Sequence, residues 1–500
     1  MYYESTRGGF KNISSAEAIK RGLAPDGGLF VPQTAVKLTE DEIYSLAGMS
    51  YNERAVFILS RFLDDYSREE LAECVIGAYS DGKFEDNCVA PVKKLSGNAY
   101  IMELWHGPTS AFKDVALQIL PRLLVKANDK TNENAETVIL VATSGDTGKA
   151  ALEGFQDVKG TQIIVFFPED GVSLVQKRQM VTQKGSNVYS IAVEGNFDDT
   201  QNGVKAIFSD TELEEKMLQN GYRFSSANSI NWGRLVPQIV YYFSAYADLL
   251  AAGEITPGEK INFSVPTGNF GNILAAWYAY TMGLPVGKLI CASNDNNVLT
   301  DFINTGVYNR ERDFKKTISP SMDILISSNL ERLLYELSGR DGDQVLEWMN
   351  GLKKDGHYTI NADVKRILSE LFWSSYTTEA ETVETIRDVY SDYGYVIDTH
   401  TAVGVDVYDK YVISTGDMTK TVIVSTASPF KFSKSVSGAI FGDSVVEGRT
   451  EFELLEILAG QSAMKIPEGL AGLENKEILH RSICGKTEMK DEVIRILQMT

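Results

Sequence analysis

Cysteine and histidine are scarce in this sequence, with four of each among 500 residues. The cysteines, at positions 74, 88, 291 and 484, are far apart, and so are the histidines, so that neither a disulfide framework nor a metal site is predicted. The sequence also has no uninterrupted apolar run of about 18 residues, which is the length that a membrane-spanning helix needs. The first ten residues, MYYESTRGGF, have neither the basic nor the apolar region of a signal peptide. We therefore expect a cytoplasmic protein.

Positive charge is in deficit as well. The chain has 48 Lys and Arg against 68 Asp and Glu, a formal net charge of −20, which disfavours a nucleic acid or an anionic membrane surface as a partner. A small anionic ligand needs a site that helix N-termini, backbone N–H groups and one or two basic side chains make locally positive. The composition is otherwise that of an ordinary globular enzyme of two or three domains, with 43% hydrophobic and 23% charged residues.

The order of the predicted elements indicates an α/β fold. A Gly-rich turn at 24–32 and amphipathic helical stretches near 40–46 and 53–63 predict a small leading domain in the first ninety or so residues. After position 98 the pattern changes to short β-branched strands, each followed by a loop and a helix, and this is typical of doubly wound, mostly parallel sheets. The clearest strands are predicted at 137–142, 162–167, 188–193, 261–265, 288–292 and 420–424.

Three loops that follow these strands are rich in small and hydroxyl residues. They are TSGDTG at 143–148, PTGNFGN at 266–272 and STASP at 425–429. Ligands of such sheets bind beyond the carboxyl ends of the strands, and the N–H groups of a glycine loop at a helix N-terminus can hold an anion. Each loop taken singly is also compatible with a tight turn that binds no ligand.

One lysine lies in a run that indicates covalent chemistry, HGPTSAFKD at 106–114. Lys113 is followed at once by an apolar helix. An amine at the wall of a packed interior loses hydration, which lowers its pKa and makes it a nucleophile toward a carbonyl carbon. Pyridoxal phosphate is the usual carbonyl partner of such a lysine. The alternative is a lysine that flanks the helix and points to water.

Five motifs together carry a resemblance to a known family. HGPTSAFKD, TSGDTG, NSINWGR at 228–234, PTGNFGN and STASPFKF at 425–432, in this order, resemble those of threonine synthase, and YESTR at 3–7 and LAPDGGLFVP at 23–32 resemble its long-chain branch. The resemblance extends over nearly the whole chain. It implies the tryptophan-synthase-β-like fold, with an N-terminal domain at 1–95, two cofactor-binding lobes in 96–293 and 385–500, and a helix-rich insertion or lobe at 294–384.

The same resemblance implies a set of cofactor-binding residues. Lys113 would form the Schiff base with pyridoxal 5′-phosphate and then shuttle protons as base and acid. Thr426, or else Ser425, would donate a hydrogen bond to the pyridine nitrogen, and Asp146 would face the ring or orient the N–H groups of its loop. The cofactor phosphate would be held by Gly268, Asn269, Phe270, Gly271 and Asn272.

The residues implied for the substrate come from two motifs. Thr143, Ser144 and Thr147 match positions that hold the substrate carboxylate in relatives. Asn228 and Arg234 match positions that hold the substrate phosphate, and a guanidinium fork suits a phosphate, although an arginine on a helix is more often a solvated charge.

The implied reaction converts O-phospho-L-homoserine and water to L-threonine and phosphate, in a monomer or a homodimer. Two other functions stay open, a phospho-lyase of the same fold that releases a 2-oxo acid, and a module that binds phosphorylated metabolites without a cofactor. Two positions depart from the family pattern. Ser428 stands where many relatives have histidine. Pro121 lies inside the helix that is predicted after Lys113, where it should kink that helix or end it beyond the site.

Overall fold

The computed structural model describes residues 1–80, 82–170 and 172–499. In this part of the chain, two large sheets and two short two-stranded sheets are present. The strands are β1 Tyr3–Ser5, β2 Phe30–Pro32, β3 Val92–Ser96, β4 Ala99–Glu103, β5 Glu136–Ala142, β6 Thr161–Pro168, β7 Val188–Glu194, β8 Tyr222–Ser225, β9 Ile261–Pro266, β10 Val286–Ser293, β11 Val307–Asn309, β12 His357–Thr359, β13 Phe372–Tyr376, β14 Thr421–Ser425 and β15 Ile483–Gly485.

Both large sheets are built mainly from parallel strands. The first has the order β13-β10-β9-β14-β4-β3, and β3 is its antiparallel strand. The second has the order β15-β7-β6-β5-β8 and is parallel throughout. The predicted α/β class is confirmed, and each of the six predicted strands is present to within two residues at either end. The β-branched and aromatic runs of β5, β6 and β9 are buried on both faces, as parallel strands between helices require.

Helices cover both large sheets. They are α1 Ser15–Arg21, α2 Glu40–Ser45, α3 Tyr51–Leu59, α4 Arg68–Tyr79, α5 Lys113–Leu117, α6 Leu120–Lys130, α7 Asp146–Phe155, α8 Leu174–Val181, α9 Phe197–Phe208, α10 Thr211–Gln219, α11 Trp232–Ala251, α12 Gly271–Thr281, α13 Val298–Thr305, α14 Leu330–Leu337, α15 Gly342–Asp355, α16 Ala362–Leu371, α17 Glu379–Tyr393, α18 Thr399–Thr415, α19 Ser433–Phe441, α20 Asp443–Val446, α21 Glu451–Ser462 and α22 Met489–Ile496. No described helix combines the length and the apolarity that crossing a bilayer requires.

The N-terminal residues share one apolar core with the large sheets. The ring of Tyr3 packs edge-on against that of Trp232, at 5.5 Å between centroids, and its hydroxyl donates to the carbonyl oxygen of Phe62 at 2.8 Å. Trp232 opens α11, which is buried along almost its whole length and consists mostly of apolar residues. The small leading domain is therefore packed directly against the central helix of the molecule.

Two local predictions differ in detail from the structure. The helix after Lys113 is not continuous, since α5 ends at Leu117 and Pro121 lies in the first turn of a second helix, α6, where its missing N–H has no partner to lose. The TSGDTG run is not a loop throughout either, since α7 begins at Asp146. In the range 294–384, β13 pairs in parallel with β10 and so forms the edge of the first sheet.

Candidate active site

The site lies at the carboxyl ends of strands from both large sheets. β5 of the second sheet ends at Ala142, and β9 and β14 of the first sheet end at Pro266 and Ser425. The three small-residue loops follow these ends directly, as parallel sheets favour for ligand binding. Phe112 N–H donates to the carbonyl oxygen of Thr426 at 2.8 Å, which places Lys113 beside the end of β14.

Lys113 is buried, with 8% of its surface exposed, at the first position of α5. Its Nζ donates to Ser321 Oγ at 3.2 Å and lies 3.5 Å from Asp146 Oδ2. The ammonium group also lies 4.7 Å from the centroid of the Phe112 ring. The lysine therefore does not point to water, and its amine faces polar groups from two other segments.

Burial is the main reason why the pKa of Lys113 is lowered, to about 8. The carboxylate of Asp146 acts in the opposite direction, whereas the charges of Lys431 and Arg234 lower the pKa further. Far more of the amine is therefore neutral at neutral pH than in an exposed lysine, and the neutral form is the one that attacks a carbonyl carbon.

Asp146 is held by two buried lysines. Lys431 Nζ lies 2.7 Å from its Oδ1, and Gln176 Nε2 donates to the same oxygen at 2.8 Å. Burial alone would raise the pKa of this carboxyl, but the charges of Lys431 and Lys113 lower it below its usual value. Asp146 is thus a fixed anion that orders the amines around it.

The loop at 268–272 has its N–H groups free to bind a ligand. Among the described residues, none of the five backbone N–H groups of this loop donates to a protein acceptor. Three of them belong to the end of the loop and the first turn of α12, where the helix dipole adds positive potential. Phe270 adopts a left-handed conformation, with φ of 62°, which a non-glycine residue keeps only when its surroundings impose it. The arrangement is that of an anion cradle.

One observation connects this cradle with Lys113, and a second indicates that the cradle binds a ligand. A Cβ on Gly268 would lie 2.6 Å from the carbonyl oxygen of Ser321, the residue whose hydroxyl accepts from Lys113. The Asn272 amide is buried with its Oδ1 accepting from the hydroxyls of Tyr241 and Tyr242, at 2.6 Å each, while its Nδ2 has no partner among the residues described. An unpartnered buried donor at this position indicates a missing acceptor.

The serine and threonine hydroxyls at the end of β14 differ in whether they already form hydrogen bonds within the protein. Ser425 Oγ accepts from Trp105 Nε1 at 3.0 Å and donates to Thr401 Oγ1 at 2.9 Å, because the single hydroxyl hydrogen of Thr401 goes to the Asp398 carboxylate. Thr426 is buried and is the next residue toward Lys113. Ser428 Oγ accepts from Phe430 N–H and caps the short 3₁₀ helix Pro429–Phe432, which carries Lys431.

The residues of the TSGDTG run are used in two ways. Thr143 Oγ1 accepts from Gly145 N–H at 3.0 Å and from Gly148 N–H at 2.9 Å, so that its hydroxyl shapes the turn. Ser144 is exposed and Thr147 is half-buried. The hydroxyls of Ser144 and Thr147 are therefore the accessible ones of this run.

Arg234 is a buried cation without a carboxylate partner in the described part of the chain. It lies in the first turn of α11, 5% exposed, and its Nη1 donates to the carbonyl oxygen of Ala227 at 2.9 Å. Burial lowers its pKa to about 10, so it stays charged at neutral pH. Asn228 is half-buried in the same loop, whose Ser229 would lie 4.0 Å from a Cβ on Gly271. A buried, unpaired guanidinium beside the cradle favours a second anion there.

Four further side chains at this site were missed in the sequence. Lys431 lies inside the STASPFKF run, but nothing local in that run predicts its burial. His400 Nε2 accepts from Ser321 N–H at 3.1 Å, and its Nδ1 pairs with Asp398 Oδ1 at 2.8 Å. Ser321 comes from a polar segment with no motif, and Gln176 from the start of α8.

These groups fit an anionic cofactor with a reactive carbonyl. The buried amine of Lys113 can join the carbonyl carbon, and the N–H cradle with the Asn272 amide can hold a phosphate. Groups of three or more residues that could bind a metal ion are absent from the described residues.

Family models match the chain along most of its length. A model described as "Pyridoxal-phosphate dependent enzyme" matches residues 88–427. A model described as "Threonine synthase N terminus" matches residues 2–79, and one described as "Threonine synthase, C-terminal" matches residues 401–487.

Relatives and solved structures are similar in both sequence and fold. The threonine synthase of Pseudomonas aeruginosa is 41% identical over 445 residues, which are 89% of this chain and 91% of that protein. The human Threonine synthase-like 1 is 43% identical over 85% of this chain, and the chain spans 58% of the length of that relative. The structure of pyridoxal-phosphate-bound threonine synthase from Brucella melitensis superposes with a TM-score of 0.88, at 37% identity and over 100% of both chains. The yeast threonine synthase structure gives 0.88 at 33% identity, over 99% and 98% of the two chains.

Proposed function

Because this chain belongs to the threonine synthase family of pyridoxal-phosphate-dependent enzymes, we propose that it converts O-phospho-L-homoserine and water to L-threonine and phosphate. The family resemblance drawn from the five sequence motifs is thereby confirmed. One observation supports the activity most strongly. The lowered-pKa amine of Lys113, the free N–H groups of 268–272 and the unpaired Arg234 surround one site, which suits a substrate and a cofactor that each carry a phosphate.

Pyridoxal 5′-phosphate, when bound, supplies a carbonyl carbon for Lys113 and an electron-withdrawing ring that acidifies the protons of the bound amino acid. Lys113 Nζ would take the proton from the substrate Cα and would be the base and acid of the transfers that follow. Its neutral form is available near neutral pH because burial lowers its pKa to about 8. Asp146 holds the amine in place from 3.5 Å.

The two phosphates are bound by different groups. Gly268, Asn269, Phe270, Gly271 and Asn272 hold the cofactor phosphate through N–H groups at the start of α12. Arg234, with Asn228, holds the substrate phosphate and stabilises the charge that grows on it as it leaves. Placing the leaving group on a buried guanidinium keeps it away from the cradle, so each phosphate has its own partner.

The substrate carboxylate and the cofactor ring are held by hydroxyl groups. Ser144 and Thr147 have the accessible hydroxyls of the TSGDTG run and bind the carboxylate, while Thr143 shapes the turn beneath it. Thr426 would donate to the pyridine nitrogen, since the Ser425 hydroxyl hydrogen is already donated to Thr401 Oγ1, whose own hydrogen goes to Asp398.

The test is to incubate the purified protein with pyridoxal phosphate and O-phospho-L-homoserine and to measure phosphate and amino-acid products together. We expect equal amounts of threonine and phosphate, lost in Lys113→Ala and kept in Lys126→Ala, which removes a surface lysine that pairs with Glu73. Phosphate with 2-oxobutyrate would assign the chain to the phospho-lyases instead. Absence of both turnover and cofactor absorbance would leave a binding module.

A further inference from the structure

Arg332 connects three segments that are far apart in the chain. It lies in α14 with no exposed surface, and each of its nitrogens donates to a different segment. Nε donates to the carbonyl oxygen of Phe30 at 2.9 Å, Nη1 to Asn329 Oδ1 at 2.5 Å, and Nη2 to the carbonyl oxygen of Ile230 at 2.6 Å. The three acceptors belong to β2, to the turn before α14 and to the 228–234 loop.

One of these bonds fixes the orientation of the Asn329 amide. Because Oδ1 accepts from Arg332, Nδ2 must point the other way, and it donates to the carbonyl oxygen of Asn269 at 3.0 Å. The backbone N–H of Asn329 donates to the same oxygen at 3.1 Å, and Ser327 Oγ donates to the carbonyl oxygen of Gly268 at 2.7 Å. The turn 327–329 thus holds two consecutive carbonyl groups of the cradle.

Holding these carbonyls also sets the direction of the cradle's donors. In a trans peptide the N–H group points opposite to the C=O group of the same peptide plane. Fixing the carbonyls of Gly268 and Asn269 against the turn therefore directs the N–H groups of Asn269 and Phe270 away from it. Those N–H groups are among the donors without a protein acceptor in the described chain.

The bond from Arg332 to Ile230 holds the loop at 228–234, which contains the residues proposed for the substrate phosphate. Ile230 lies between Asn228 and Arg234, and its carbonyl oxygen accepts from Nη2 of Arg332. The 228–234 loop and the 268–272 loop are thus held, one directly and one through Asn329, by a single guanidinium. The planar fork of arginine can do this because its donors are on three separate nitrogens, whereas the three N–H donors of lysine share one nitrogen and cannot match the same three acceptors.

We propose that Arg332 is a positioning residue that fixes the position of the cofactor-phosphate cradle relative to the substrate-phosphate loop. This rests on the proposed function, which supplies the two phosphates. The bond to Phe30 adds the leading domain to the same arrangement, so that the N-terminal segment supports the site without touching it.

Arg340 offers a matched control. It follows the same helix, and it also donates to the end of the β2 segment, through bonds to the carbonyl oxygens of Pro32 and Gln33, the latter at 2.5 Å. It bonds to neither phosphate-binding loop. Both Arg332→Lys and Arg340→Lys therefore weaken hydrogen bonds to the Phe30–Gln33 segment. Only Arg332→Lys also loses the bonds that position the two phosphate-binding loops.

The experiment measures the dissociation constant of pyridoxal phosphate by cofactor absorbance, below the melting temperature of each variant, together with KM and kcat for O-phospho-L-homoserine. We expect Arg332→Lys to raise both the cofactor dissociation constant and KM about tenfold or more, as the loss of charged hydrogen bonds implies. Arg340→Lys should lower the melting temperature and leave both constants within about twofold.

A second variant tests the account if Arg332→Lys does not fold. Asn329→Ala removes the side-chain hydrogen bond to the Asn269 carbonyl and keeps the bond from Arg332 to Ile230, so it should raise the cofactor dissociation constant and leave KM, measured at saturating cofactor, nearly unchanged. Wild-type affinity in both Asn329→Ala and folded Arg332→Lys would overturn the inference alone. A wild-type protein that does not bind pyridoxal phosphate would overturn the proposed function and this inference with it.

Discussion

Lys431 Nζ lies 2.7 Å from Asp146 Oδ1, and both side chains are buried. The pair places a second cation close to Lys113, whose Nζ lies 3.5 Å from the other oxygen of the same carboxylate. Arg234 is also close enough to lower the pKa of Lys113, so three cations and one carboxylate meet here and a site inside a chain of net charge −20 is locally positive. This is the condition that anionic ligands need.

Formation of the covalent adduct between Lys113 and pyridoxal phosphate should depend on pH with a midpoint near 8. The amine reacts only when neutral, so the initial rate should be low below the lowered pKa and should level off above it. An exposed lysine would give a midpoint near 10.4 instead. The measurement is the initial rate of the absorbance change when apoprotein is mixed with cofactor between pH 6 and about 10.

Lys431 and Asp146 form the buried ion pair, and replacing the one or the other should move that midpoint in opposite directions. Lys431→Met removes a charge that lowers the pKa of Lys113, so the midpoint should move above 8, whereas Asp146→Asn removes the charge that raises it, so the midpoint should move lower. Breaking the pair should also destabilise the fold by about 3 kcal/mol in each case. Shifts of the same sign in the two variants would contradict this arrangement of charges.

Replacing Arg234 should separate stability from substrate affinity. The guanidinium is buried without a carboxylate partner among the described residues, so Arg234→Met should leave the melting temperature level or raise it. The same change should raise KM for O-phospho-L-homoserine about 10- to 100-fold, because charged hydrogen bonds to the substrate phosphate are lost. As a control, Arg178→Met removes bonds to the carbonyl oxygens of Leu473 and Lys476 and should affect stability alone.

Two helical glycines should respond oppositely to alanine. A Cβ on Gly154 in α7 would lie 2.8 Å from the carbonyl carbon of Leu117, the last residue of α5, so Gly154→Ala should destabilise by about 1–3 kcal/mol and disturb the helix that carries Lys113. Gly460 in α21 has no neighbour within 4 Å of its Cβ position, and Gly460→Ala should stabilise by up to about 1 kcal/mol. Thermal melting of the two variants compares them directly.

The parts of this site that the sequence predicted are those with local signals. The strands that end at Ala142, Pro266 and Ser425 are marked by β-branched runs, and the loops after them are marked by glycines and hydroxyl residues. Lys113 stands out because an apolar helix follows it at once. These features are decided within about ten residues of chain, where periodicity and turn chemistry are informative.

The parts that were not predicted depend on packing between distant segments. Ser321 and Lys113 are 208 residues apart, and the acceptors of Arg332 include Phe30, which is 302 residues away. No local pattern distinguishes these residues from surface ones.

Reductive trapping tests the central claim, that Lys113 carries the cofactor, most directly. The protein is incubated with pyridoxal phosphate, reduced with borohydride and digested, and the modified peptide is identified by mass spectrometry. We expect a single phosphopyridoxyl group on Lys113, and none after the same treatment of Lys113→Ala. Modification of Lys431 or another lysine in place of Lys113 in the wild-type protein would contradict the account.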